Sequence, residues 1–370
     1  MKKLLPEVCT IQYGFPFDSA KFSDSNGMPL IRIRDVVRGY SETYTTEEYK
    51  SEYIVHENDL LIGMDGEFNI AKWGKTPALL NQRVCRLAPK DSIDKDYLFY
   101  FMPIALKRIE EKTPFVTVKH LSAKELNKIE IPVLSLEEQR KIAETLSKVD
   151  KLIAFRDQQL AKLDEVVKAR FVEMFGDINV NNKKWMTYPL GELCTIVRGG
   201  SPRPIERYLG GTIPWIKIGD ATTGENIYLN STKEYIIQEG VKKSRMIKAG
   251  SLIFANCGVS LGFARIITLD GCIHDGWLAM EDIDEKLDKI FLLYSLNQMT
   301  EYFRKTAPAG TQPNLNTNIM KMHRQIVPPM EMQKAFISFV KCADRQKQIV
   351  QQSLEKLELM KKALMQECFG

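Results

Sequence analysis

Two long stretches of the chain repeat apolar residues with the heptad spacing of packed helices. Residues 136–175 and 332–369 contain no glycine or proline, and each follows a proline and ends at a Phe-Gly step. These are expected signals for the start and the end of a helix. At about 1.5 Å per residue, about 40 residues form a rod of about 60 Å. The predicted apolar seam consists of Ile142, Leu146, Val149, Ile153, Leu160, Leu163 and Val167 in the first helix and Phe336, Val340, Val350, Leu354, Leu357 and Leu364 in the second.

The rest of the chain predicts short strands and turns. It is rich in Gly, Pro and Tyr and contains short β-branched runs such as Pro29–Asp35 and Asp59–Ile62. We therefore expect a β-rich domain over residues 1–135, a long helix over 136–176, a second β-rich domain over 177–331 and a second long helix over 332–370.

The two halves of the chain are copies of one another. Four pairs of segments match in the same order, at offsets that begin at 185 and drift to 194 residues. Such a drift is what a duplication followed by loop insertions leaves behind. The matching pairs are Glu7–Ile11 with Glu192–Ile196, Pro29–Asp35 with Pro214–Asp220, Gly66 with Gly258, and Gly176 with Gly370.

The predicted fold class is α+β, with two β-rich domains in tandem and two long helices. A rod of this length cannot bury its seam against a small β-rich domain alone. Since the chain itself supplies both halves, we expect the two helices to pack on each other within one chain. A coiled coil that joins two chains is the alternative.

Composition excludes several classes of protein. The 370 residues are 44% hydrophobic and 27% charged, with a net charge of +5, as in an ordinary globular protein. The longest uncharged stretch, Ala249–Ala264, is too short and too polar to span a bilayer, so no membrane association is expected. The seven cysteines form no C-x-x-C pair, which argues against a disulfide scaffold or zinc ribbon and favours the cytoplasm.

Catalytic motifs are absent from the sequence. Gly74 begins a Gly-Lys-Thr triplet, but Asn69 stands where a phosphate-binding loop needs its first glycine. Val327 replaces the polar residue that a Pro-Pro motif of amino-methyltransferases needs. His274 and Asp275 have no accompanying nucleophile, and the four histidines lack metal-ligand spacing. We therefore expect a non-catalytic chain that holds no metal and no cofactor.

Both β-rich domains contain loops in which glycine, amides and basic residues alternate with aromatics. Such loops suit the reading of DNA base edges, with Arg and Lys for guanine and Asn and Gln for adenine, although any one of them can be an ordinary turn. The candidate DNA-binding residues are Arg32, Arg34, Asp65, Glu67, Asn69, Lys72, Asn81, Gln82, Arg83, Thr117, Lys119 and His120 in the first domain and Arg198, Ser201, Arg203, Lys217, Asn256, Ser260, His274, Thr311, Gln312, Asn314 and Asn316 in the second.

The whole chain resembles the specificity subunit of type I restriction–modification systems. The resemblance rests on Ile131–Ile142 and Val327–Gln333, which span the starts of the long helices, and on Arg198–Pro202, Ile213–Asp220 and Gly310–Asn316. Two departures exist. The first copy has Thr-Val-Lys-His-Leu-Ser at residues 117–122, where the family has a Gly-Thr/Ser-Gln/Gly phrase, and the second lacks the double Glu before its Gln.

This resemblance implies a function for each part. Each β-rich domain would be a target recognition domain that reads one half of a bipartite double-stranded DNA site. The helices would form an antiparallel coiled coil that sets the spacer and docks two modification subunits, which motor–nuclease restriction subunits join. S-adenosylmethionine, ATP and Mg would belong to those partners. The alternative is a tandem-repeat adaptor that binds proteins rather than DNA.

Overall fold

The computed structural model describes residues 1–74, 76–112, 119–221, 227–258, 261–308 and 314–370. The chain is a mixed α+β protein, which confirms the predicted fold class. It divides into two compact units, each of which takes part of both long helices. Unit 1 comprises Met1–Gln158 and Gln351–Gly370, and unit 2 comprises Gln159–Val350.

Unit 1 is built on two small sheets. Its strands are β1 (Lys2–Leu4), β2 (Cys9–Tyr13), β3 (Phe22–Ser23), β4 (Met28–Ile31), β5 (Tyr44–Thr45), β6 (Ile54–Val55), β7 (Leu60–Gly63), β8 (Asn69–Lys72), β9 (Ala78–Leu80), β10 (Val84–Pro89) and β11 (Glu130–Pro132). Its shorter helices are α1 (Leu5–Val8), α2 (Ile33–Arg38), α3 (Lys95–Lys112) and α4 (Ala123–Asn127). The sheet orders are β2-β10-β7-β8 and β3-β5-β4-β9-β6, and β1 pairs with β11.

The long helix α5 (Leu136–Phe175) follows β11, and unit 2 then repeats the plan of unit 1. The strands of unit 2 are β12 (Thr187–Pro189), β13 (Thr195–Arg198), β14 (Leu209–Ile216), β15 (Tyr228–Leu229), β16 (Glu234–Ile236), β17 (Arg245–Ile247), β18 (Leu252–Ala255), β19 (Ala264–Ile267), β20 (Gly271–Ile273), β21 (Trp277–Glu281) and β22 (Arg324–Ile326). Its helices are α6 (Leu190–Leu193), α7 (Ile218–Ala221), α8 (Gln238–Val241), α9 (Lys289–Gln298), α10 (Thr300–Thr306) and α11 (Thr317–Met322), and α12 (Met330–Phe369) ends the chain.

Strand pairing follows the sequence repeat. In unit 1, β4 and β9 pair in parallel, with Leu30 opposite Leu79. In unit 2, β14 and β20 pair in parallel, with Trp215 opposite Cys272. The strands β14 and β20 belong to the sheet β16-β14-β20-β17, and β12 pairs with β22. A further sheet of unit 2 has the order β13-β21-β18-β19-β15, in which β21 and β18 pair antiparallel as β10 and β7 do in unit 1.

The long helix α5 has local signals at both of its ends. Before α5, the backbone N–H of Glu138 donates to Ser135 Oγ (3.3 Å) and that of Ser135 donates to a Glu138 carboxylate oxygen (3.0 Å), which is a capping box. At the other end, Gly176 adopts a φ of +78°, the left-handed conformation that favours glycine at a helix end. The second helix begins at Met330, two residues before the predicted start.

The helix segments run antiparallel within each unit. In unit 1, Lys361 Nζ lies 2.7 Å from Asp150 Oδ1, and Arg156 Nε donates to Ser353 Oγ at 3.2 Å. Along these contacts the residue numbers on α12 decrease as those on α5 increase, so the two helices are antiparallel. In unit 2, Lys347 pairs with Asp164. Lys347 and Lys361 are therefore both paired with carboxylates of the facing helix.

None of the predicted seam residues is exposed. Those that are buried are Leu146, Val149, Val167, Phe336, Val340, Val350 and Leu354, and those that are half-buried are Ile142, Ile153, Leu160, Leu163, Leu357 and Leu364. Several of them join the core of a unit instead of packing only on the other helix. Phe336 contacts Phe171 and Phe175 in unit 2, and Phe369, at the end of α12, packs on Tyr97 in unit 1 with ring centroids 5.2 Å apart.

Within the described ranges, no helix is both long and apolar enough to cross a membrane.

Candidate nucleic-acid interface

An open cavity of about 430 Å³ in unit 1 brings together five of the predicted residues, Arg32, Arg34, Asn81, Gln82 and Arg83. Arg32 immediately precedes α2, and its backbone N–H donates to the buried Asp35 carboxylate at 2.8 Å. This bond involves only the backbone of Arg32, and the side chains of Arg32 and Arg34 are exposed. The Arg32 guanidinium lies 5.8 Å from the centre of the Phe22 ring, within cation–π range.

Arg83 extends this surface to two further predicted residues. Its Nη1 atom lies 3.2 Å from His120 Nδ1, which in turn lies 2.5 Å from Asp65 Oδ1. Arg83 has a φ of +71°, which places it at a turn. We call Arg32, Arg34, Asn81, Gln82, Arg83, Asp65 and His120 the unit 1 face. A guanidinium held by a carboxylate and an imidazole is oriented before any ligand arrives.

Two predicted lysines have partners elsewhere. Lys72 Nζ lies 2.8 Å from Asp96 and 5.1 Å from the centre of the Phe99 ring, both on α3. Lys119 Nζ donates to the backbone oxygen of Glu110 at 2.8 Å. Lys72 therefore ties β8 to α3, and Lys119 ties the segment before α4 to α3. The remaining predicted residues, Asn69 and Glu67, bond to each other through the Asn69 amide and the Glu67 carbonyl (3.1 Å), and residue 117 lies outside the described ranges.

In unit 2, Asp275 lies beside four of the predicted residues. Ser201 Oγ donates to its carboxylate at 2.7 Å, Arg198 Nε donates to its backbone oxygen at 2.9 Å, and Arg203 Nη2 lies 3.8 Å from Oδ2. His274 Nδ1 is 3.0 Å from Oδ1, and burial lowers the pKa of this imidazole. The composition of the loops pointed to the basic residues and missed the aspartate that holds them.

Lys217 lies beside this group. Its Nζ pairs with Glu234 and lies 5.5 Å from the centre of the Trp215 ring, which is itself 5.5 Å from the His274 ring. We call Arg198, Ser201, Arg203, Lys217, His274 and Asp275 the unit 2 face.

The side chains of Asn256 and Asn314 form a hydrogen bond in unit 2. The Asn256 Nδ2 donates to Asn314 Oδ1 at 3.2 Å, and Asn256 is fully buried. Asn316 has a different role, because its side chain accepts the backbone N–H of Ile319 at 3.0 Å and caps α11. Residues 260, 311 and 312 of the predicted set lie outside the described ranges.

The two faces share one backbone frame. Asp220 accepts the N–H of Lys217 at 2.8 Å, as Asp35 does for Arg32. The N–H of Leu121 donates to Met64 O (2.7 Å) and that of Leu315 donates to Asn256 O (2.8 Å). Gly66 and Gly258 have φ values of +78° and +77°. On this frame the side chains differ: the bridged pair is Asp65 with His120 in unit 1 and Cys257 with Asn314 in unit 2.

The described residues contain no group of three or more His, Cys, Asp and Glu side chains placed to hold a metal ion.

Comparison with known proteins identifies the family. The family described as type I restriction modification DNA specificity domain matches residues 1–165 and 182–359. The chain therefore belongs to this family, which confirms the resemblance seen in its motifs.

Curated relatives carry the same description. The specificity subunit of the type I restriction enzyme EcoBI of Escherichia coli is 41% identical over 164 residues, which cover 44% of this chain and 34% of that protein. The specificity subunit of MjaVIII of Methanocaldococcus jannaschii is 24% identical over 377 residues, covering 91% of this chain and 87% of that protein. These names agree with the expectation of a specificity subunit rather than a catalytic one.

Solved structures share the fold. The S subunit of a type I system from M. genitalium aligns with a TM-score of 0.56 and 15% identity, over 100% of this chain and 96% of that chain. A chain from a structure on the assembly and conformational transition of the type I system aligns with a TM-score of 0.62 and 16% identity, over 100% and 97%.

Proposed function

We propose that this chain is the DNA-recognition subunit of a type I restriction–modification complex, in which each β-rich domain reads one half of a bipartite site. The observation that carries the proposal is the repeated backbone frame with different side chains at matching positions. A duplicated frame presents two faces in the same way, while the changed side chains give each face its own target. The domains would correspond to residues 1–135 and 177–331.

The chemistry of the two faces supports DNA as the ligand. Arg32, Arg34 and Arg83 supply the charge of the unit 1 face, and Arg198 and Arg203 that of the unit 2 face. Guanidinium groups bind guanine edges bidentately and neutralise phosphates. Gln82 and Asn314 would supply amides for adenine edges, with a discrimination of about 1–3 kcal/mol for each good bidentate contact.

The long helices, residues 136–176 and 332–370, would set the spacer between the half-sites and dock two modification subunits. Support for docking comes from large apolar side chains of the long helices that are about half or more exposed. Leu152 is 46% exposed, Phe155 is 52% exposed and Leu359 is 68% exposed, whereas such residues are usually buried. Methyl transfer from S-adenosylmethionine, and translocation and cleavage driven by ATP and Mg, would belong to the modification and restriction subunits.

Methylation-aware sequencing tests this function. A host with the modification subunit is compared with and without this chain. We expect methylated adenines at a bipartite sequence only when the chain is present. A methylation pattern that does not depend on the chain would contradict the proposal.

An adaptor that binds proteins rather than DNA is the competing function. DNA binding by the assembled complex should weaken steeply as salt rises, because phosphate contacts release counterions. Salt-insensitive binding to a protein partner, without DNA binding, would favour the adaptor.

A further inference from the structure

A fully buried glutamine lies in the second turn of α5. The Oε1 atom of Gln139 accepts the backbone N–H of Asp94 at 2.7 Å, and its Nε2 donates to the carbonyl oxygens of Ser92 (3.1 Å) and Leu134 (2.9 Å). One side chain thus joins the long helix to the loop before α3 and to the segment before α5.

The second copy of the chain repeats this arrangement bond for bond. The Oε1 atom of Gln333 accepts the N–H of Asp288 at 2.9 Å, and its Nε2 donates to Lys286 O (2.9 Å) and Pro328 O (2.8 Å). Gln333 is also fully buried. The same three-bond pattern at two positions 194 residues apart shows that the geometry belongs to the frame of the repeat and not to one loop.

Each glutamine holds the aspartate that immediately precedes another helix of its domain, α3 in unit 1 and α9 in unit 2. The Asp94 Oδ1 atom accepts the N–H groups of Asp96 (2.9 Å) and Tyr97 (3.0 Å) at the start of α3. The Asp288 Oδ1 atom accepts the N–H of Ile290 at 2.7 Å at the start of α9. The directions of α5 and α3, and of α12 and α9, are therefore linked through one buried amide.

We propose that Gln139 and Gln333 are positioning residues that hold each recognition domain in one orientation on the long helices and so confine the protein to a single spacer length. This inference rests on the proposed function. Neither residue belongs to the unit 1 face or the unit 2 face, so neither contributes to half-site sequence. Replacement by methionine keeps the size of the side chain but removes all three hydrogen bonds. The N–H and the two carbonyl groups then lack partners, so orientations of the recognition domain that expose these groups to water become favourable.

The test uses the full chain together with its modification subunits. Gln139→Met and Gln333→Met are compared with Gln158→Met, an exposed glutamine of the same helix α5. The spacer of every methylated site is read by sequencing. We expect unchanged half-sites, and an increase of about tenfold in the fraction of modified sites whose spacer is one base pair longer or shorter, for the two buried variants only.

Soluble, active Met variants that keep the single spacer of the wild type would overturn the inference. If neither variant is soluble, Gln139→Asn, whose shorter amide cannot reach all three partners, is judged by the same criterion. The proposed function fails differently, because the wild-type complex would then modify no bipartite site at all.

Discussion

Lengthening both long helices should lengthen the spacer of the DNA site. The change is an insertion of four residues after Gln159 in α5, with a matching insertion after Val350, which the antiparallel direction of the helix contacts places opposite. Four helical residues add about 6 Å, or nearly two base pairs at about 3.4 Å each. They also add about 40° of rotation, close to the twist of one base pair. We therefore expect the spacer to grow by one or two base pairs while both half-sites stay the same.

Methylation-aware sequencing of a strain that carries the insertion variant reads the half-sites and the spacer together. The control replaces the four residues after Gln159 without changing the length of the helix, and it should keep the original spacer. An active insertion variant that still modifies sites with the old spacer would refute the idea that the helices set the distance.

Two further predictions concern stability. Phe336→Ala should lower the free energy of unfolding by about 3–5 kcal/mol, because the ring is fully buried against Phe171 and Tyr294. Urea unfolding measures this loss, and the control is Ile349→Ala at an exposed position of the same helix. A loss below about 1 kcal/mol for Phe336→Ala would contradict the packing. Burial lowers the pKa of His323 to about 4. The fold therefore has its full stability above the pKa that this histidine has in the unfolded chain, where the imidazole is neutral, and it loses stability as the pH falls below that pKa. Between pH 7 and pH 5 the loss should be about 2 kcal/mol, and His323→Leu should remove that part of the pH dependence; an unchanged pH profile would contradict it.

Local signals were sufficient to predict the long helices. The heptad positions, the prolines before each helix and the Phe-Gly steps gave bounds within two residues of α5 and α12. The duplication also had a sequence signal, and the matching φ values of Gly66 and Gly258 are its structural counterpart. The helix signals depend on residues close together in the chain, and the duplication is visible because the same short segments occur twice.

Contacts between distant residues had no such signal. Nothing in the residues near Phe369 indicates that its ring packs on Tyr97, since the two residues are 272 positions apart in the chain. The same limit applies to the candidate site. Loop composition selected Lys72 and Lys119 along with the arginines, but the direction of each side chain depends on its partner, and Asp96 and Glu110 lie on a different element.

The buried glutamines show an intermediate case. Gln139 and Gln333 stand 194 residues apart in matching motifs, so the repeat marked them as equivalent. Their role could not be read from the sequence, because a glutamine near the start of a helix is usually solvent-exposed.

The central claim is that the two recognition domains of one chain recognise their half-sites independently. The most direct test is the exchange of residues 1–135 for the same segment of a related specificity subunit with a different target. The measurement is the methylated sequence of the genome in a strain that carries the hybrid and its modification subunit. We expect one half-site to change to that of the donor, while the other half-site and the spacer stay as before. A change in both half-sites, or in neither, would contradict the account.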